Sequence, residues 1–316
     1  MTASIAVVGS LNMDLVIRSP RIPRPGETIL GGELHTVPGG KGANQAVAAA
    51  RLEAQVYMVG RVGRDAFAGA LVENLAADGI DHTFVVQDEE TATGVALIVV
   101  DDDGENSIVV SSGANMRLSP ADVEAAESVI AAADLLILQL EVPLESVIRG
   151  AELARAHGVK VVLNPAPARP LPAGLLSLVD VLVPNESEAA LLADLPAGTQ
   201  SEAEKAAEAL LQSGVGTVIL TLGERGALTI RDGITQAFPA YEVKPVDTTA
   251  AGDAFVAGLA VALAEGKGLY EAVQWANAAG GLATTKLGAQ PSLPTRQALE
   301  SLLSDGSLKS SQGDRR

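Results

Sequence analysis

The chain has 316 residues, 47% of them hydrophobic, enough to bury the core of one large domain or of two smaller ones. A net charge of −17, with no window rich in Lys and Arg, argues against a nucleic-acid partner. The absence of cysteine excludes disulfides, thiolate metal sites and Cys nucleophiles, and no apolar run reaches the ~18 residues of a membrane span, so a soluble cytoplasmic protein is expected.

Short β-branched runs alternate with stretches at helical spacing. In chain order these are a strand at Ile5–Gly9 and a helix at Ala43–Leu52, then a strand at Leu135–Leu140 and a helix at Leu144–His157. They continue with strands at Val159–Leu163 and Asp180–Pro184, helices at Glu186–Ala193 and Glu202–Ser213, a strand at Thr217–Leu222 and a helix at Ala254–Glu265. That alternation predicts βαβ units, and so an α/β fold: a doubly wound, mostly parallel sheet with helices on both faces. Ligands on such sheets gather at the carboxyl ends of the strands.

Two segments break the pattern. Leu11–Val37 reads as strand around Leu15–Arg18 and Thr28–Leu34, with Pro20, Pro23 and Pro25 between them. Thr93–Val110 reads as a hairpin, Val95–Val100 and Ser107–Val110 flanking the turn-rich stretch 101–106. Belonging to no βαβ unit, these strands are expected to form a small separate β-sheet lid over the site. In Val95–Val100 both alternating sets of side chains are apolar, more than a lid with one solvated face needs, and that predicts a homodimer formed through the lid. One domain is expected over 1–303, with lid segments at about 11–37 and 93–110, and a polar, disordered tail over 304–316.

The strongest local signal is the stretch 247–255, Asp-Thr-Thr-Ala-Ala-Gly-Asp-Ala-Phe, which runs into a helix. Ala250, Ala251 and Gly252 leave their amides unobstructed at a helix start, where an anion such as a transferring phosphoryl group is favoured. Asp253, in the first turn, is placed to take the proton of an attacking hydroxyl, with the amides of Ala250–Asp253 as an anion hole. An isolated Asp there would read as a helix cap, but a cap does not require the small residues before it.

A second glycine-rich loop, Gly39-Gly40-Lys41-Gly42-Ala43-Asn44-Gln45, also enters a helix. It is not a Walker A loop, because Gly42 follows Lys41. It reads either as an ordinary turn or as backbone that approaches a polyhydroxylated ligand, with Lys41 and Asn44 hydrogen-bonding to it. Asn12 and Asp14, just after the first strand, suit sugar hydroxyls in the same way. Asn185 and Glu188, one helical turn apart, could orient a hydrated Mg²⁺, although a bare helix start uses the same residue types. Thr221-Leu222-Gly223-Glu224-Arg225-Gly226 ends a strand where nucleotide could sit, or is a plain turn. The histidines His35, His82 and His157 show no ligand spacing.

Taken together, several stretches resemble the ribokinase-like carbohydrate kinase family: 9–14 (Gly-Ser-Leu-Asn-Met-Asp), 39–46, 164–168 (Asn-Pro-Ala-Pro-Ala), 184–186, 221–223, 247–253 and 288–292. The resemblance runs from about Ile5 to Leu303. It implies ATP and Mg²⁺ as co-substrates, D-ribose as the sugar and Asp253 as the base. It further implies that Asn12, Asp14, Gly39, Gly40, Lys41, Asn44 and Glu141 hold the sugar, and that ATP lies against Asn185, Thr221, Leu222, Gly223, Glu224, Arg225, Gly226, Gly252 and Asn277. An activating K⁺ would sit among Asp247, Thr249, Ala283, Lys286, Gly288 and Ser292, with Glu188 reaching Mg²⁺ through water. The alternatives are a kinase for another sugar or nucleoside (fructose, deoxyribose, adenosine) and a non-catalytic sugar-binding regulator. A dehydrogenase is disfavoured because no G-x-G-x-x-G follows the first strand.

Overall fold

The structure, a computed structural model, describes residues 2–196 and 199–306. The elements in chain order are β1 Ser4–Val8, β2 Asn12–Arg18, β3 Leu34–Gly39, α1 Lys41–Arg51, β4 Gln55–Val62, α2 Ala66–Ala77, β5 Asp81–Gln87, β6 Gly94–Val100 and β7 Asn106–Ser111. There follow α3 Pro120–Ala125, α4 Glu127–Ala132, β8 Leu135–Leu138, α5 Leu144–Ala156, β9 Lys160–Leu163, α6 Ala173–Leu176, β10 Val181–Leu182, α7 Glu186–Ala193 and α8 Gln200–Gln212. The chain then forms β11 Thr217–Thr221, β12 Ala227–Arg231, β13 Ile234–Phe238, α9 Ala251–Ala264, α10 Leu269–Ala283, α11 Ala289–Ser292 and α12 Arg296–Asp305.

The nine-stranded sheet has the order β13-β12-β11-β10-β9-β8-β1-β4-β5 and is parallel except at β12 and β13. Its central strands β10, β9, β8 and β1 are apolar apart from Lys160 and Ser4 at the starts of β9 and β1, because both faces are covered. Alternate residues go to opposite sides: Ile5, Val7, Leu135 and Ile137 join a core with α1, α9 and α10, while Ala6, Val8, Leu136 and Leu138 join one with α4, α5 and α8. Strand order reverses at β1, which lies between β4 and β8, so a crevice opens beyond its carboxyl end. With aromatics at 3%, the first core closes on small residues. A Cβ added at Gly258 of α9 would lie 2.9 Å from the Cβ of Ala279 in α10. Residues Asp253–Ala262 of α9 are buried on every side.

The second sheet has the order β3-β2-β6-β7, and both irregular segments contribute to it. The hairpin β6–β7 forms around the 101–106 turn as expected. The strand expected over Thr28–Leu34 is instead Leu34–Gly39. The register that sets Gly39 opposite Asn12 reaches Leu34 opposite Ile17, near the end of β2, and beyond it the Gly32 amide makes a single further bond to β2, to the Arg18 carbonyl at 2.8 Å. Ser304 and Asp305, where the polar tail was expected to begin, belong to α12, which ends on Gly306 at φ 62°. Positions 307–316 of that tail lie outside the described residues.

Candidate active site

The loop after β1 and the start of α1 are fastened to each other in the crevice. Gly40 takes φ 88°, and a Cβ there would come within 2.7 Å of the Asn12 backbone nitrogen, so glycine is required. Glu141, in the turn after β8, accepts from the Ser10 hydroxyl at 2.5 Å and from the Lys41 amide at 3.0 Å, placing a carboxylate at the N-terminus of α1. Asn12 is held by Asn115, whose amide nitrogen donates to its side-chain oxygen at 2.7 Å and to the Leu11 carbonyl at 3.0 Å. This leaves the Asn12 amide nitrogen free to donate outward.

Asp253 stands in the first turn of α9. The helix begins at Ala250, in the left-handed region at φ 58°, with no side-chain cap. The Asp253 carboxylate therefore does not cap its own helix. Asn44 Nδ2 donates to one oxygen at 3.0 Å and Gln45 Nε2 to the other at 2.9 Å. Of the expected anion-hole amides, that of Ala251 is engaged by the Thr248 carbonyl at 3.2 Å. Those of Gly252 and Asp253 have no acceptor within the helix, as first-turn amides do not.

Three carboxylates, Asp253, Glu141 and Glu188, surround the Lys41 ammonium, and a fourth, Asp14, lies near two of them. Burial, with Glu141 and Asp253 nearby, pushes the Asp14 carboxyl up to about 7. Burial would lower Lys41, but the carboxylates of Asp253, Glu141 and Glu188 outweigh it and hold the ammonium above its ordinary value. Glu188 is raised by burial, with Asp253 adding to the rise and the Asn185 amide and Lys41 opposing it.

A cavity of about 230 Å³ joins this cluster to the second group of expected residues, its lining including Lys41, Asp253, Asn185, Glu188, Thr221 and Gly252. A larger, open hollow of about 510 Å³ beside Glu53, Arg296 and Gln297 has no comparable chemistry, since Arg296 is already paired with Glu265 and Glu300.

Asn185 caps α7 in a reciprocal box with Glu188, each side chain accepting the other's amide at 2.8 Å. That fixes both side chains and leaves Glu188 one oxygen for other partners. Thr221 docks beside them through its amide to the Pro184 carbonyl at 2.9 Å. In the following turn Leu222 is buried, Gly223 and Gly226 take φ 58° and 92°, and Arg225 pairs with Glu186 at 2.5 Å. Glu224 lies in the same turn. Asn277 is not part of the cavity lining, its amide nitrogen donating to the carbonyls of Phe238 at 3.4 Å and Pro239 at 3.3 Å.

The stretches assigned to K⁺ meet as well. The Asp247 carboxylate accepts from Thr249 and from the Gly288 amide at 2.8 Å, and the Thr284 carbonyl accepts from the amides of Val246 and Asp247. Burial would raise the Asp247 carboxyl, but these donors, Thr249 foremost, hold it below its usual range. Ala283 and Ser292 are buried alongside, the Ser292 hydroxyl donating to Ala289, while Lys286 follows the end of α10. Among the described residues no group of three or more His or acidic side chains could hold a metal by itself. The donor set here, one carboxylate among backbone carbonyls, suits a weakly held monovalent cation.

A family model described as pfkB family carbohydrate kinase matches residues 2–296. The chain belongs to that family. The pfkB kinase is thus an ATP-dependent sugar kinase. It is 44% identical over 297 residues to a ribokinase of Haemophilus influenzae, covering 94% of this chain and 97% of that one. It is 38% identical over 301 residues to a deoxyribokinase of Salmonella typhimurium, covering 95% and 98%. The Arabidopsis thaliana ribokinase structure with ribose and ATP superposes with a TM-score of 0.87 at 36% identity, covering 96% and 99%.

Sequence reasoning missed several residues that build this pfkB site. Ser10, Asn115, Gln139 and Gln45 carry its hydrogen bonds; Ser10 and Gln45 lay inside motif stretches that stood out but were given no role, and Asn115 and Gln139 lay outside them.

Proposed function

We propose that this kinase transfers the γ-phosphoryl group of ATP to O5 of D-ribose in the cytoplasm, giving D-ribose 5-phosphate and ADP. One observation carries the reading: the buried Asp253 carboxylate, braced by two amides at the start of α9, faces a cavity shared by Lys41 and by the Asn185, Glu188 and Thr221 group. Sugar enters from the lid side, against Asn12, Asp14, Gly40, Lys41, Asn44 and Glu141. The Asn44 side-chain oxygen is buried with no partner, and a sugar hydroxyl would supply one. Asp253 accepts the proton of the attacking hydroxyl as the new P–O bond forms and the bond to the β-phosphate breaks. The Gly252 and Asp253 amides, with Lys41, hold the charge that accumulates on the transferred group. Thr221–Gly226 and Asn185 hold the nucleotide. Mg²⁺ reached through water from Glu188 would neutralise phosphate charge, and K⁺ among Asp247, Thr249, Ala283, Gly288 and Ser292 would fix the loop ahead of α9.

The deoxyribokinase relative favours a second reading, 2-deoxyribose as the sugar. Turnover of ribose, 2-deoxyribose, fructose and adenosine, with ATP and Mg²⁺ and with or without K⁺, separates the two. Ribose should give the highest kcat/KM, and a higher value for any other acceptor overturns the assignment.

We also propose a homodimer through the lid. Both faces of the small sheet expose apolar side chains: Leu34, Leu97 and Val109 on one, Ile108 and Val110 on the other. Such a surface is stabilised by a second copy. Sedimentation at micromolar concentration should show a dimer that Ile98→Lys splits with loss of activity. A fully active monomer removes the idea.

A further inference from the structure

We propose that Gln45 is a positioning residue for the base Asp253, and that Gln139 sets the direction in which it acts; the inference rests on the assignment of Asp253 as base. Gln45 is fully buried, and its amide nitrogen donates to Asp253 at 2.9 Å and to Asn164 Oδ1 at 3.2 Å. A carboxamide could equally turn its oxygen towards the carboxylate, where two acceptors would repel. Gln139, also fully buried, prevents this by donating its own amide to Gln45 Oε1 at 2.6 Å. Asn164 is fixed in turn by donating to the Val183 carbonyl at 3.0 Å, so its oxygen faces Gln45. The chain of amides has one direction, Gln139 to Gln45 to Asp253, and ends on the catalytic carboxylate.

The arrangement is retained although it leaves one buried polar atom unsatisfied. Gln139 Oε1 has no partner and abuts Gly9, where a Cβ would collide with it. Turning the Gln139 amide would place its oxygen against Gln45 Oε1 and reverse the chain. An orphaned acceptor where an apolar side chain would fit points to a job for the donor on the other side of the same amide.

Two consequences separate positioning from mere packing. The donor favours the ionised base, so without it the acid limb of kcat should move to higher pH. Asp14 from β2, Lys41 from α1 and Glu188 from α7 also face Asp253, with Glu141 beside Lys41. Asp14, raised to about 7, can itself contribute to the pH profile, so the shift must also appear in an Asp14→Asn background at saturating sugar. The second consequence is directional: Gln139→Glu offers Gln45 only acceptors, turns its amide nitrogen away from Asp253 and should harm turnover more than Gln139→Met, although glutamate is the closer match in shape.

The test is kcat and KM across pH 5–9 for Gln45→Leu, Gln139→Glu and Gln139→Met, with thermal midpoints and calorimetric sugar binding to confirm folding. We expect Gln45→Leu to lower kcat about tenfold, to move the acid limb up by about one pH unit and to leave KM for ATP within threefold. In an Asp253→Asn background it should lower kcat no further. An unmoved limb, or an equal loss with and without the Asp253 carboxylate, overturns the positioning role. Should Gln45→Leu fail to fold, the order of the two Gln139 variants decides, and Gln139→Glu matching Gln139→Met also overturns it. Failure of the base assignment looks different: Asp253→Asn would then keep its turnover.

Discussion

Asp253→Asn should bind sugar and ATP about as well as the parent and lose at least about a hundredfold in kcat, some 2.7 kcal/mol of transition-state stabilisation. The substitution keeps the shape of a fully packed position but cannot take the hydroxyl proton. It does set one new N–H against a donor, since Asn44 and Gln45 each donate to Asp253. Turning the Asn44 amide relieves that conflict: its oxygen, which has no protein partner, would accept from residue 253, and its nitrogen would then donate to the sugar hydroxyl that the oxygen had accepted from. The fold and the ground-state complex should therefore survive. Steady-state kinetics with both substrates saturating is the check, and a variant that keeps more than a tenth of parental turnover takes Asp253 out of the base role.

At Asp14 stability and sugar binding are opposed. The native carboxyl titrates at about 7, against 3.8 for an unperturbed Asp, because burial and the charges of Glu141 and Asp253 disfavour ionisation. Between those two values the folded chain holds a proton that the unfolded chain has released. Asp14 thus contributes its full share of stability only below pH 3.8 and loses it as the pH rises through about 7. Asn cannot ionise, so the advantage of Asp14→Asn over the parent should grow by about 2–3 kcal/mol from pH 5 to pH 8. The same variant should bind sugar more weakly, having lost an acceptor that sits among the proposed sugar contacts. Denaturant titrations at the two pH values measure the first effect and calorimetry the second. Parallel stability curves for parent and variant would place the carboxyl in an ordinary, solvated environment.

The parts of the site that were legible in the sequence are those built from neighbours along the chain. Small residues before a helix flagged 39–45 and 247–253, since backbone that must approach another group closely excludes side chains; at Gly40 that group is the backbone of Leu11 and Asn12. The doubly wound sheet was legible because strands covered on both faces become continuous apolar runs between helical periods. Contacts between distant positions left no local trace. Leu11 meets Asn115 across 104 residues, Gln45 meets Gln139 across 94, and Ser10 meets Glu141 across 131. Nothing in the composition around Asn115 distinguishes it from a surface amide, and although the apolar run Leu135–Leu140 marks Gln139 as buried, it does not say which residue the amide meets. The nucleotide side shows the opposite limit: Asn185 and Glu188 stood out, but the pattern that drew attention to them is fully used in capping α7, so any role with phosphate rests on the cavity they line.

The lid has no hinge of its own. Only Gly9, Ser10 and Leu11 separate β1 from β2, and only Gly40 separates β3 from α1. The root of β6 is pinned through Thr93, which donates to Asp65 from both its amide and its hydroxyl, and β7 runs into the turn that carries Asn115. A swing of these strands must therefore carry Asn12, Asp14 and Gly40 away from Asp253, so opening takes the acceptor site apart as well as uncovering it. With no sugar to bridge lid and core, bound ATP faces a base that has no hydroxyl aligned for attack. On the proposed assignment of the sugar contacts and of Asp253 as base, this connectivity would itself guard against futile hydrolysis of ATP by water, without a separate gating segment.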